Sequence, residues 1–412
     1  MNLLTKHIHD IKFSDVVEFC DQKILEGVQL DYKLKMPKDL AKHFATFSNT
    51  QGGLIIVGVG EDDKGLPTTH EGMKNDGKLV DQVHQFAANV NPLPSYDVWI
   101  TDEVGGNVFI LVRIFEGAAA PYTTINDPTV WVRTGNISTP ADREELLRLS
   151  NKRSDAENIR STNLTFAKQY FDACVSEAEE DRKQRVQAEQ KDIYKHVLGG
   201  DNCAVLTIAI QPYQPSIELT IPDELFNRTL DYCGDEYHRT LFNQGVSDSM
   251  PGGISAFSWN HQNGVIRNDQ LYTNGLCFTA ADVLRNDGTT KQITMLDIGH
   301  KLHSQLKLAQ SYYKIVGYSG LIEGVIYLDG GVGATVSPIG SHKYPLFMPE
   351  RGKIRLGSYK WYLHLDSNTL HDNTALSDIF GKTVKDISWS LGVSDLTDNV
   401  LQSYLEVNGW LK

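Results

Sequence analysis

The chain has 412 residues, of which 41% are apolar and 22% charged; this composition excludes an intrinsically disordered protein and suggests two or three domains. Lys and Arg total 39 against 52 Asp and Glu, a formal net charge of −13, so bulk positive charge does not hold this protein on nucleic acid. Any phosphate contact needs a local basic patch. No run of 18 apolar residues predicts a membrane span, and the first residues lack the apolar core of a signal peptide. Five dispersed cysteines (Cys20, Cys174, Cys203, Cys233 and Cys277) without a C-x-x-C pair give no zinc motif and fit a reducing, cytoplasmic setting.

Residues 1–150 alternate helix and strand signals. Leu40, Phe44 and Phe47 recur on one helical face, and Gly52-Gly53 stops that helix. The short apolar run Leu54 to Val59 reads as a buried strand. Leu79, Val83, Phe86 and Val90 mark a second helix ended by Pro92; strands follow near 96–101, 107–114 and 129–134. Thr139-Pro140-Ala141-Asp142 has the form of a capping box and predicts a helix over about 140–150. Residues 151–198 hold nine basic and nine acidic residues and neither Gly nor Pro, the composition of a long solvated helical connector.

A second α+β unit is expected over 199–412. Ala204 to Ile210 and Leu321 to Leu328 are strand-like, and Asn263-Gly264 signals a hairpin. Ile298 to Val316 traces an amphipathic helix closed by Gly317, and Asp395 to Leu411 predicts a short final helix. The fold class is therefore α+β: an N-terminal mixed α/β domain (1–150), a helical connector (151–198) and a second α+β domain (199–412).

Few segments carry recognisable chemistry. Gly330-Gly331-Val332-Gly333 is a turn, since no Gly-Lys-Ser/Thr follows to make a Walker A ATP site. G-x-S-x-G and H-E-x-x-H motifs are absent, and His7 with His9 forms an incidental N-terminal pair. The informative cluster is Glu26 to Lys35. As a strand, it places Asp31, Lys33 and Lys35 on one face and Leu30, Tyr32 and Leu34 on the other. An acid two residues before a lysine can be a salt bridge on a surface strand. It is also the core of many metal-dependent nucleases, where carboxylates hold Mg²⁺ or Mn²⁺ and the lysine neutralises developing phosphorane charge.

Glu26, Asp31-Tyr32-Lys33, the helix ending Phe47-Ser48-Asn49-Thr50-Gln51-Gly52-Gly53, and the strand running to Val59-Gly60-Glu61-Asp62 form an ordered series. With Pro121, Val130 to Asn136 and Thr139 to Asp142, this series resembles the Schlafen AlbA_2 (Schlafen-like) domain family over about 15–150. The resemblance implies nucleic-acid work, RNA favoured: family members include metal-dependent endoribonucleases, and many prokaryotic members are linked to antiviral defence. It implies catalytic roles for Glu26, Asp31 and Lys33. Gly60 stands where the family's third acid falls, so Glu61 or Asp62 must substitute; Asp62 is the better placed if the strand persists. Glu26, Asp31 and Asp62 are then the expected Mg²⁺ or Mn²⁺ ligands.

Lys33, Lys35, Lys38 and Lys42 lie within ten residues that contain one acid, Asp39, and make a basic strip or a solvated helix face. Arg133, beside Gly135, either grips phosphate or pairs with Asp142 or Glu144. Two functional readings follow: a metal-dependent endoribonuclease, or a non-catalytic nucleic-acid or nucleotide sensor. Under either, a homo-oligomer or a protein partner is expected through the connector or the C-terminal domain, and no membrane.

Overall fold

Two apolar sets on opposite faces of one sheet organise the N-terminal part of the chain. The computed structural model describes residues 3–4, 6, 8–75, 77–190, 197–198, 203–213, 219–229, 241–244, 248–260, 264–286, 290–316, 318, 320–337 and 352–393. Two units divide the chain, Met1–Asn158 and Ile159–Lys412. Short elements are named below by residue range alone.

In the first unit the labelled elements are α1 (Phe13–Asp21), β1 (Leu30–Lys33), α2 (Leu40–Asn49), β2 (Gly53–Val57), β3 (Gly60–Glu61), α3 (Leu79–Ala87), β4 (Tyr96–Ile100), β5 (Ile110–Ile114), β6 (Trp131–Thr134), β7 (Ile137–Pro140) and α4 (Arg143–Glu189). The main sheet has the order β1-β2-β5-β4, with β1 parallel to β2 and the other pairs antiparallel. Ile55, Val57, Ile110 and Val112 pack with Phe44, Phe47, Leu79 and Val83 of α2 and α3. Leu54, Ile56 and Leu111, one residue out of phase, pack with Val16 and Phe19 of α1. Period-two alternation thus yields a sheet covered on both sides, which explains why β2 is apolar throughout.

Gly52, at φ +66°, joins α2 to β2; a Cβ there would lie 2.6 Å from the Ile114 carbonyl oxygen. The strand expected over 54–59 stops at Val57 instead, because Gly58 adopts φ +106°. The amides of Gly58 and Val59 both donate to the Lys33 carbonyl, and Gly60–Glu61 then pairs with Pro67–Thr69. Thr139 is not a helix cap: it pairs with Val132 in the β6–β7 hairpin. Asp142 caps α4 by accepting from the Glu145 amide at 2.9 Å. The expected helix near 140–150 and most of the expected connector are one continuous helix, α4. Its early residue Leu149 belongs to the core of the first unit, and Ala167 and Phe171 to that of the second.

The second unit contains β8 (Ala204–Pro212), β9 (Gly253–Trp259), β10 (Ile266–Tyr272), β11 (Cys277–Asp282), α5 (Met295–Val316), β12 (Leu321–Gly330), β13 (Ser358–Asp366) and α6 (Asn373–Ser390). A seven-stranded antiparallel sheet runs from 248–250 through β9, β10, β11, β8 and β12 to β13. Ile298 and Leu302 of α5 and Phe380 and Val384 of α6 pack with Leu206, Ile208 and Leu328, while Ala209 and Phe278 pack with Ala167 and Phe171 of α4. The expected hairpin is present, with Trp259 opposite Ile266. Asn263, Gly317, the expected helix at 395–411, His7 and Cys233 lie outside the described residues. Among the described residues, no helix is long and apolar enough to cross a membrane.

Candidate functional site: a charged cluster at the edge of the first sheet

β1 is an edge strand whose apolar residues, Leu30 and Tyr32, enter the α1-side core. That fixes Asp31 and Lys33 on the opposite face, as the alternation predicts. Asp31 is 2% exposed. Its Oδ1 accepts from Arg133 Nη2 at 3.0 Å and lies 3.3 Å from Lys33 Nζ, while Oδ2 lies 3.2 Å from His43 Nδ1. Burial alone raises the Asp31 carboxyl, but His43, Lys33 and Arg133 together hold it well below the usual carboxylate range. Asp31 is therefore a buried anion compensated by three bases.

Lys33 is the centre of the group. Its ammonium donates to the Tyr32 carbonyl at 2.7 Å and lies 3.2 Å from Glu61 Oε1, 3.3 Å from Asp31 Oδ1 and 3.7 Å from Glu26 Oε1. Burial opposes its charge, but these three acids outweigh that and raise its affinity for the proton. Glu26 Oε1 also accepts from the Tyr32 amide at 2.6 Å. Burial, a hydrogen bond with Glu61 and the Asp31 charge push the Glu26 carboxyl up to about 8. The Glu26 carboxyl therefore largely keeps its proton at neutral pH.

Two expected site residues are placed elsewhere. Asp62 is exposed, and its Oδ1 accepts from the amides of Lys64 and Leu66 in the turn after β3. Val59 turns into the α1-side core after Gly58, and the register shifts again between Gly60 and Glu61, so Glu61 and not Asp62 reaches Lys33. Arg133 does not grip phosphate: its side chain is 1% exposed, and it donates to the Gly27 and Leu30 carbonyls and to Asp31. It pairs with neither Asp142 nor Glu144. His43, missed from the sequence, was legible as the residue at i+3 from Leu40 and i−4 from Phe47, flanking the buried stripe of α2.

The basic strip is differently built. Lys35 and Lys38 are exposed on the loop between β1 and α2, next to Leu34, which is 54% exposed. Lys42 sits 3.3 Å from the centre of the Trp131 ring, and Trp131 Nε1 donates to Asp127 Oδ2. A cation and a ring are held together close to two free cations.

Carboxylate oxygens suit Mg²⁺ or Mn²⁺ in chemical type. Among the described residues, however, no group of three or more Asp, Glu, His or Cys side chains is arranged to hold a metal ion. The physical reason is visible in the cluster: Lys33 lies where the carboxylates converge, Asp31 Oδ1 already accepts from Arg133, and Oδ2 lies 3.2 Å from His43 Nδ1. As arranged, the residues do not fit a divalent ion.

A mixed sheet with helices on both faces, a compensated carboxylate cluster at its edge and a lysine-bearing loop after β1 make up an α/β domain. Residues 26–142 match the Schlafen, AlbA_2 family, and this N-terminal AlbA_2 domain supports a nucleic-acid-related role for the protein. Among curated proteins there is no match. Solved structures similar to part of the chain include the DIP2311 protein from Corynebacterium diphtheriae, at 19% identity over 34% of this chain and 31% of that one, TM-score 0.24. Another is the N-terminal domain of a DNA helicase RecG-related protein from Nitrosomonas europaea, at 19% identity over 32% of this chain and 93% of that one, TM-score 0.25.

Proposed function

We propose that residues 26–142 bind nucleic acid, RNA favoured, without catalysis, as a sensor or regulatory module. Lys35, Lys38 and Lys42 make the phosphate contacts, and the Glu26, Asp31, Lys33 and Glu61 cluster is the rigid base of that surface. The observation that carries this reading is the division of labour among the basic residues. Lys33 and Arg133 are consumed by internal carboxylates, whereas Lys35 and Lys38 stand exposed beside a lysine already seated on an aromatic ring. The family match supports the nucleic-acid part of it. Titration of labelled single-stranded RNA against the protein at several salt concentrations tests it. Binding that weakens with salt, and weakens further in Lys35→Ala/Lys38→Ala, is the expected result; no binding at any salt concentration sinks the reading.

A second reading, a Mg²⁺- or Mn²⁺-dependent endoribonuclease with the family's antiviral role, is favoured by one observation: three carboxylates converge within 3.7 Å of a single ammonium. It requires Lys33 to leave the position it holds. Cleavage of tRNA or rRNA by the protein with Mn²⁺, abolished in Asp31→Asn, would establish it; intact RNA removes it. Assembly through α4 or the second unit belongs to the proposal too, and a strictly monomeric mass in solution removes that part.

A further inference from the structure

We propose that the second unit holds a small oxyanion, a phosphate or carboxylate group, between Lys301 of α5 and Arg267 of β10. This goes beyond the reading of residues 26–142 and uses none of its residues. Asp297, Lys301 and Gln305 recur at i, i+4 and i+8, so they lie along one side of α5, beside its buried stripe of Ile298, Leu302 and Leu306. The strands beneath supply a row of their own: Arg285 follows β11, and in the β10–β11 pairing Arg267 stands opposite Ala281 and Asp269 opposite Thr279.

The outer rungs of this helix-on-strand row are complementary. Asp297 accepts from Arg285 Nε and Nη2 at 3.0 and 2.9 Å, and the Gln305 amide meets Thr279 Oγ1 at 2.9 Å. The middle rung sets cation against cation, Lys301 against Arg267. Lys301 is partly buried and, among the described residues, has neither an ion pair nor a hydrogen bond. The nearby carboxylate is already engaged: Asp269 accepts from Arg267 Nε at 2.9 Å, from Thr279 Oγ1 and from the Leu241 amide. Ala281 offers only a methyl group at this rung. Gln305 is 1% exposed, and among the described residues the end of its amide away from Thr279 is buried without a hydrogen-bond partner.

Charge and chemistry together select the ligand. Burial and the Arg267 charge push the Lys301 ammonium down to about 8, and the Asp269 and Asp297 charges do not restore it. Two like charges in a low-dielectric setting are costly, and a group of opposite sign removes that cost. A metal cation would add to the repulsion, and an apolar ligand would leave the ammonium without an acceptor. An oxyanion offsets the excess charge, and its oxygens accept from Lys301 and from the Gln305 amide.

The test uses the full chain and two probes, inorganic phosphate and acetate, each titrated at constant ionic strength. The first readout needs no variant: the rate at which succinimidyl acetate acetylates Lys301 near neutral pH, read by peptide mass, with exposed Lys314 of the same helix as the reference. A bound anion strengthens the hold of Lys301 on its proton, and one recovered pKa unit slows its acetylation about tenfold while Lys314 is unchanged. Slowing by phosphate alone assigns a phosphate ligand, by acetate alone a carboxylate, and by both the shared oxyanion chemistry. In the second readout the anion raises the Tm of the natural sequence, and Lys301→Met loses that gain. Both readouts are repeated in Lys35→Ala/Lys38→Ala, so that anion binding by the first unit is read separately. The proposal is overturned if neither probe slows Lys301 relative to Lys314, or if the anion-dependent gain in Tm persists undiminished in Lys301→Met. Should Lys301→Met fail to fold, the acetylation rates decide.

Discussion

Each unit of this protein buries an aspartate, and the two are treated differently. Asp269 in β10 is fully buried and accepts from Arg267 Nε, Thr279 Oγ1 and the Leu241 amide at 2.6–2.9 Å. Asp31 in β1 is nearly as buried, but it shares Lys33 with Glu26 and Glu61, and the Lys33 side chain keeps 23% of its surface. A carboxylate matched donor for donor is architecture, since low dielectric penalises any unpaired charge. A cluster with three acids around one lysine, open at one edge, leaves protons and charge to be rearranged. The lesson is that burial of an acid does not mark a site; several acids sharing one lysine at a solvent edge does.

That contrast can be broken by experiment. Asp269→Ala removes the buried acceptor of Arg267 Nε, Thr279 Oγ1 and the Leu241 amide and is expected to destabilise the second unit by about 3–5 kcal/mol, read by chemical denaturation. Asp31→Ala is expected to lower the stability of the first unit by about 3 kcal/mol, because Arg133 stays buried while Lys33 can relax toward water. A loss below about 1 kcal/mol at Asp31 would show that the cluster is not a structural base.

The pH response sharpens the comparison further. The folded Glu26 carboxyl titrates at about 8, above its ordinary range, so its contribution is complete in acid and is lost as the pH rises to and through 8. Asp31 is shifted the other way: its contribution is present above the ordinary aspartate range and is lost as the pH falls. Glu26→Gln keeps an acceptor for the Tyr32 amide and removes the titration, so the decline in Tm between about pH 5 and 9 should be shallower than in the natural sequence. An unchanged profile would place the excess proton elsewhere.

The smallest effects belong to the surface. Glu61→Gln should change stability by about 0–1 kcal/mol, since its side chain is 31% exposed. Lys35→Ala/Lys38→Ala should leave the denaturation midpoint in place and reduce the log–log salt slope of single-stranded RNA binding by about 1.4, one increment for each lost phosphate contact.

Much of this was legible beforehand. Strand alternation put Asp31 and Lys33 together, the Gly52-Gly53 stop set the end of α2, and the periodicity of 298–316 found α5. The third carboxylate was not legible, because Asp62 depended on a strand that Gly58 ends. Thr139 had the spacing of a cap yet paired as a strand, since a hairpin partner at Val132 satisfied its backbone better than a helix start.

The sequence by itself determined the AlbA_2-like order of elements, the two apolar faces of β2 and the short basic run at 33–42. Those depend on periodicity and composition, which are local. Only the tertiary structure decided which charges are available. It placed Arg133 beside Asp31 from 102 residues away, brought Glu61 to Lys33, and left Lys35, Lys38 and Trp389 in solvent. Whether a charged side chain is a tool or a brace depends on what folds against it, and no spacing along the chain records that.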